Sequence, residues 1–434
     1  VMEILAFAGV PTVMFLDVPS PDLLARLGHV RAFGIAGVAR SRSPEWMTAE
    51  LPRYFAALKA LKAPILHYKT CSTFDSAPHL GSIGRATEIG LAITDADWAP
   101  LVVGAPAIGR YQMFGTLFAA VDGVAYRLDR HPVMARHPAT PMAEADLCRH
   151  LDGQTTLPKA VIDWRQLLDG SADAALATAR ARGAKIVALD VFDQATLAAT
   201  GCILWTNACQ TPLFAVGSQG VEYALVAHWR AAGLLPEGIA PPPLRPAAPL
   251  LVVSGSCSAI TARQIAAAEA AGFLSVALDA TAALAQGTWD AAVAGTQAIV
   301  HTALSSGRSV IVSTARGPDD PAISALTSAL GASSANSGEV HERIGAGLGA
   351  LVRGARQKSL IHRAIFSGGD TSGHAMLAVG AQALEPLAPL APGAPLLAIR
   401  SADPLFDGME VALKGGQMGG PDLFVRARDG EAKA

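Results

Sequence analysis

The run Leu250-Leu251-Val252-Val253-Ser254-Gly255-Ser256-Cys257-Ser258 decides the fold. Four consecutive apolar residues bounded by a turn read as a buried strand, and the small residues behind them lead into a helix at Thr261. A strand feeding a small-residue turn and then a helix is how a parallel α/β domain begins. Just upstream, residues 234–249 carry Pro236, Pro241, Pro242, Pro243, Pro246 and Pro249. Proline lacks the amide donor and is excluded from helix interiors and central strands, so this stretch reads as a linker. The same rhythm continues outward. Apolar runs at 12–16, 32–36, 101–104, 185–189, 213–216, 275–278 and 309–312 read as strands, and residues 262–271 and 293–304 read as helices. The expected architecture is α/β: two α/β domains with largely parallel sheets, spanning 1–233 and 250–434 and joined by the Pro-rich linker 234–249. The polar tail from Arg426 onward is expected to fray.

Composition narrows the function classes. The 434 residues are 51% hydrophobic and 16% charged, which excludes disorder for most of the chain. With 34 Lys+Arg against 36 Asp+Glu there is no overall basic field, so a nucleic-acid partner is not expected. Five scattered cysteines without a C-x-x-C spacing indicate neither a disulfide framework nor a zinc ribbon, and fit a reducing cytoplasm. No segment reaches the ~20 uninterrupted apolar residues of a spanning helix, so no membrane partner is expected either.

Three small-residue clusters in the second domain are candidates for chemistry. Residues 254–258 would place backbone N–H groups and hydroxyls around an anion at a helix N-terminus; a tight turn capped by Ser258 or Thr261 accounts for the same residues. Ser367-Gly368-Gly369-Asp370-Thr371-Ser372-Gly373 joins two glycines, which let backbone approach a ligand, to Asp370 and Thr371, which suit a metal, a phosphate or an attacking hydroxyl. The plainer reading is a capped glycine turn. Lys414-Gly415-Gly416-Gln417-Met418-Gly419-Gly420 suits a mobile backbone around a phosphate or a base, or else a flexible surface hairpin. The chain contains no Gly-Lys dipeptide and no G-x-G-x-x-G spacing, so neither a Walker A loop nor a dinucleotide fingerprint is present, which argues against a nicotinamide-dependent dehydrogenase.

In the first domain, Tyr68-Lys69-Thr70-Cys71-Ser72-Thr73-Phe74-Asp75-Ser76 is followed by Gly81-Ser82-Ile83-Gly84-Arg85. An ammonium beside hydroxyls and a carboxylate suits a carboxylated polyol, the ammonium taking the acid, although a hydroxyl-rich turn has the same composition. Cys71 carries no Cys/His signature of a nucleophile. Gly109-Arg110-Tyr111 and residues 127–142 cluster Arg and His in a proline-stiffened loop that would clamp an anion or reach a neighbouring subunit. His131 and His137 lack a third ligand at a metal spacing. Ser41-Arg42 is a further anion-binding candidate.

Five of these motifs, Lys69 to Ser76, His137-Pro138-Ala139-Thr140-Pro141-Met142, Gly255-Ser256-Cys257-Ser258, Gly368-Gly369-Asp370-Thr371-Ser372-Gly373 and Leu413-Lys414-Gly415-Gly416, together resemble the four-carbon acid sugar kinase family over nearly the whole chain. The resemblance implies an N-terminal acid-sugar-binding domain and a C-terminal nucleotide-binding domain. It further implies a cytoplasmic, homodimeric kinase that uses ATP and Mg²⁺ to phosphorylate the terminal hydroxyl of a short sugar acid. The Cys-Ser-Thr-Phe-Asp-Ser and His-Pro-x-Thr-Pro-Met elements look most like the 3-oxo-tetronate kinases, which makes 3-oxo-tetronate the expected acceptor; the 127–137 loop and the Lys-Gly-Gly-Gln element are also similar to the 3-oxo-isoapionate kinases, the alternative. Carried over by position, the resemblance assigns Ser258, Gly368, Gly369, Asp370, Thr371 and Gly416 to ATP, and Arg42, Lys69 and Ser72 to the sugar acid. It makes Asp370 the catalytic candidate, for metal or base work. Family members open with a strand ending in Asp-Asp-Phe-Thr-Gly, which this sequence lacks. A first strand and turn upstream of Val1 are therefore expected, with a non-catalytic sugar-acid binder as the alternative if that motif is truly absent.

Overall fold

The computed structural model describes residues 1–430 except 122 and 239, and the side chains of Asp370 and Thr371 also lie outside the described set. The chain divides into two units, one formed by Val1, Glu3–Gly9 and Ile35–Ile239, the other by Met2, Val10–Gly34 and Ala240–Ala434.

The second unit is built on a nine-stranded sheet. Five of its strands lie parallel in the spatial order Leu274–Ala277, Val310–Ser313, Leu251–Ser254, Arg363–Ser367, Glu410–Lys414. Their apolar runs are continuous because both faces are covered. Leu251 and Val253 pack on one side with Val310, Val312 and Phe366, and Leu250 and Val252 on the other with Ile311 and Ile365. The helix Ser337–Gln357 closes the first side with Val340, Ile344, Leu348, Leu351 and Val352, a stripe at helical spacing.

The rest of that sheet departs from the expected parallel pattern. Glu410–Lys414 pairs antiparallel with Ala394–Arg400, which pairs antiparallel with Ala383–Ala391. Ala383–Ala391 carries Pro386 and Pro389, and its ladder shifts register between Pro386 and Ala388 and again between Ala388 and Ala391. Such irregularities let a strand tolerate prolines. Its other edge pairs antiparallel with Thr12–Phe15, Met14 facing Leu384 and Phe15 facing Ala383. Residues 10–34, expected in the N-terminal domain, therefore complete the sheet of the second unit. The tail also departs from expectation. Leu423–Asp429 is a helix whose Leu423, Phe424 and Ala427 are buried, and Arg428 donates to the Ala271 carbonyl at 2.9 Å.

The first unit holds a five-stranded, wholly parallel sheet in the order Ile65–Lys69, Leu213–Gly217, Ala99–Val102, Ile186–Leu189, Lys159–Ile162. A separate antiparallel sheet, Arg110–Met113, Thr116–Val121 and Val124–Arg127, occupies part of what reads as loop in the sequence. Its first hairpin turns at Phe114 and Gly115, both at positive φ, the geometry that two-residue hairpins require. The fully buried Asp190 fixes that turn by accepting from the N–H groups of Phe114 (2.6 Å), Gly115 (2.9 Å) and Trp164 (3.1 Å). Among the described residues no helix is long and apolar enough to cross a membrane.

Candidate functional site

Register places Ala277, Ser313, Ser254, Ser367 and Lys414 side by side at the carboxyl edge of the second unit's parallel strands. From Leu251–Ser254 the chain departs toward Leu274–Ala277, whereas from Arg363–Ser367 it departs to the opposite side, toward Ala383–Ala391. The crevice between Ser254 and Ser367 is thus a topological switch point, where open α/β sheets bind ligands. Two helices start there. Ser258 caps Ala259–Ala270, its Oγ accepting from the Thr261 N–H at 3.0 Å, and Gly368 enters Gly369–Ala378 at a φ of +127°. Helix amino ends present free N–H groups and partial positive charge, which favours an anion.

Lys414 lies beneath this crevice, fully buried. Its Nζ donates to Thr261 Oγ1 at 2.8 Å and to Ser367 Oγ and the Gly416 carbonyl at 3.3 Å. All three acceptors are neutral. Burial pushes the ammonium down to about 8, so it is still largely protonated at neutral pH. The Gly416 carbonyl also accepts from the Ser258 hydroxyl. A Cβ on Gly416 would stand 3.1 Å from Ser256 Oγ and 3.3 Å from Ser258 Cβ, so a side chain there would press on both serines by a few tenths of an ångström. Gln264 Nε2 donates to the carbonyls of Met418 (3.0 Å), Gly419 (3.3 Å) and Gly420 (3.0 Å). The glycine segment is therefore a pinned loop, not the flexible hairpin its composition allows.

The structure brings Ser258 and Gly416 into direct contact, and Gly368 joins them through its N–H to the Lys414 carbonyl at 2.9 Å. Gly369 is exposed at the start of its helix. The side-chain roles expected of Asp370 and Thr371 lie outside the described residues. Gln264 was not singled out in the sequence, because a lone glutamine on a helix has no spacing that announces it.

In the first unit, Lys69 ends its strand and is exposed, and Ser72 is half-buried. The segment behind them folds onto itself. Cys71 Sγ lies 3.1 Å from Thr73 Oγ1, which donates to Asp75 Oδ1 at 2.8 Å, while Arg40 Nε and Nη2 reach Asp75 Oδ2 at 3.0 and 2.8 Å. Burial raises the Asp75 carboxyl, but hydrogen bonds from Cys71 and Thr73 and the Arg40 charge outweigh it and hold the group below its ordinary range. Asp75 is thereby committed to Arg40. Gly81 donates its N–H to the Arg42 carbonyl at 2.9 Å, and a Cβ there would stand 2.4 Å from the Arg40 carbonyl oxygen. That contact fixes the turn carrying Arg42, whose guanidinium lies 5.7 Å from the Trp46 ring centroid.

The expected Arg/His loop contains two short helical turns, 128–130 and 134–136, that bury Leu128 and Met134. His131 Nδ1 accepts from the N–H groups of Val133 and Met134, and His137 Nδ1 from that of Thr140. These ring nitrogens serve the backbone. Among the described residues no three His, Cys, Asp or Glu side chains stand close enough together to hold a metal.

Residues 1–225 match the family model described as a sugar-binding N-terminal domain, and residues 251–424 the one described as a nucleotide-binding C-terminal domain. The chain belongs to the four-carbon acid sugar kinase family. It is 45% identical to a 3-oxo-isoapionate kinase of Paraburkholderia graminis over 99% of this chain and 91% of the relative. It is 31% identical to a 3-oxo-tetronate kinase of Cupriavidus necator over 96% of this chain and 91% of the relative. Solved structures from Haemophilus influenzae (TM-score 0.77, 23% identity, covering 98% of this chain and 96% of that one) and Salmonella typhimurium (0.78, 24%, covering 99% and 96%) share the fold.

Proposed function

We propose that this chain uses ATP to phosphorylate the terminal hydroxyl of a short sugar acid, with 3-oxo-isoapionate ahead of 3-oxo-tetronate as acceptor. The observation that carries the reading is the pair of helix starts at the Ser254/Ser367 switch point with the buried Lys414 ammonium beneath them, an arrangement that favours a polyanion. The 45% identity to the 3-oxo-isoapionate kinase against 31% to a 3-oxo-tetronate kinase supports the order of acceptors.

In this reading Ser258, Gly368, Gly369, Asp370, Thr371 and Gly416 hold the nucleotide phosphates, and Arg42, Lys69 and Ser72 hold the acid. Mg²⁺ arrives with the nucleotide as its phosphate complex. Phosphoryl transfer asks chiefly for alignment and charge neutralisation. Fixed backbone N–H groups and the Lys414 charge supply the second without reorganising during the reaction. The acid's hydroxyl oxygen bonds to the γ-phosphorus as the bond to the β-phosphate oxygen breaks and ADP leaves, the hydroxyl proton passing to a base for which Asp370 is the candidate, metal work being its other assignment. The test is ADP release with MgATP and each acid in turn. Turnover is expected to be fastest with 3-oxo-isoapionate, and the absence of ADP release with either acid would reject the reading.

A further inference from the structure

We propose that Arg110 takes the carboxylate of the acid in the first unit, an assignment that rests on the sugar-acid reading above. Arg110 opens the strand Arg110–Met113, reached by the loop that leaves Ala99–Val102 at the carboxyl edge of the parallel sheet. Ala105 and Arg110 exchange backbone hydrogen bonds, which fixes the base of the side chain. At its other end Nη1 donates to three carbonyls, those of Ile108 (3.1 Å), Gly109 (3.1 Å) and Ala120 (3.3 Å). The guanidinium plane is thereby held from one side.

The opposite side, Nε with Nη2, is unspent. Nε is buried without a hydrogen-bond partner, and among the described residues no carboxylate pairs with Arg110. At two other arginines of this chain that same side takes a carboxylate. Arg165 presents Nε and Nη2 to Asp163 at 3.2 and 2.7 Å, and Arg428 presents them to Asp429 at 2.6 and 3.0 Å. The parallel N–H bonds of this fork match a planar carboxylate.

Arg40 is already committed to Asp75. Lys69 and Val102 both stand level with Gly217, so the hydroxyl-rich segment that starts at Lys69 and the loop that leads to Arg110 leave the parallel sheet at the same edge, and burial lowers the Arg110 guanidinium. Burial and the Arg110 charge together keep His131 below its ordinary value. With Nδ1 accepting two backbone N–H groups, its neutral ring carries its proton on Nε2 and adds no second cation. A half-buried cation without a counter-charge is costly to desolvate, and a bound carboxylate supplies the missing charge. The ligand class is a short hydroxylated carboxylate, distinguished by charge from the matching neutral polyol.

The test uses calorimetry on the whole chain, with erythronate as probe and erythritol as its uncharged counterpart. Wild type is expected to bind erythronate and not erythritol. Arg110→Gln should weaken erythronate binding about 10- to 100-fold with ATP binding unchanged, and Arg110→Lys should fall between, keeping the charge but losing the fork. Because Arg110→Gln also removes three backbone contacts, wild type provides an independent measurement: erythronate should protect Arg110 from phenylglyoxal, read by peptide mass spectrometry. Erythronate binding by Arg110→Gln as tight as that of wild type, equal binding of erythritol by wild type, or no protection would each overturn the assignment. Wild type that binds erythronate through Arg110 but releases no ADP with any sugar acid sinks the kinase reading alone. A working kinase indifferent to Arg110→Gln sinks the assignment alone.

Discussion

Lys414 Nζ lies 2.8 Å from Thr261 Oγ1, and none of the three groups it touches carries a negative charge. A buried ammonium whose partners among the described residues are two hydroxyls and a carbonyl costs stability in the absence of an anion. Lys414→Met is therefore expected to raise stability at pH 7 by roughly 1–3 kcal/mol in denaturant titration. The same change should raise the KM for ATP about tenfold or more. A variant less stable than wild type with unaltered KM would remove Lys414 from the anion site.

The same residue sets a pH dependence. Its folded-state value, about 8, lies below the ordinary 10.5, so between these values the unfolded chain binds more protons than the folded one. Stability from this group rises as pH climbs through that window. The stability gap between Lys414→Met and wild type should be constant below about pH 8 and narrow as pH rises from about 8 to 10.5. A constant gap between the two proteins across the window would contradict the burial of the charge.

Gly368 stands at a φ of +127°, which side chains with a Cβ rarely adopt. Gly368→Ala is expected to cost about 1–3 kcal/mol and to weaken ATP binding more than acid binding. Thermal melts and separate titrations with nucleotide and acid would check both halves.

Asp75, held below its ordinary range, contributes stability above the unfolded value of 3.8 that is lost as pH falls through its folded value. Asp75→Asn gives up the Arg40 ion pair and should be less stable at neutral pH by about 1–3 kcal/mol, with a shallower decline on acidification. Urea titrations at neutral and acid pH would show whether the two curves converge.

Asp370→Ala is expected to lower turnover at least about 100-fold while the acid still binds. Unchanged turnover would take Asp370 out of the chemistry.

The parallel strands were legible in sequence because burial on both faces leaves an uninterrupted apolar run, as at Leu251–Ser254 and Val310–Ser313. Ala383–Ala391 was not, since Pro386 and Pro389 signal a break and only the register shifts explain how the strand survives them. Nor was the destination of residues 10–34, because a four-residue apolar strand carries no mark of the sheet it will join. At the site, the resemblance already grouped Ser258 with Gly416, but the carbonyls that Gln264 and Arg110 meet are set by loop closure, which spacing does not encode. At Asp75 the sequence left open both a ligand role and a hydroxyl-rich turn, and folding commits its carboxylate to Arg40.

The pairing of Met14 with Leu384 and Phe15 with Ala383 makes the nucleotide-binding half a non-contiguous product of the gene. A fragment cut at the proline-rich segment would expose Ala383–Ala391 as a bare edge, a template for aggregation. Grafting that half onto another scaffold would require carrying residues 10–34 along, for instance by circular permutation, and recombination at the linker alone would deliver an incomplete cassette. During synthesis Thr12–Phe15 has no partner strand until Ala383–Ala391 has been made, about 370 residues later.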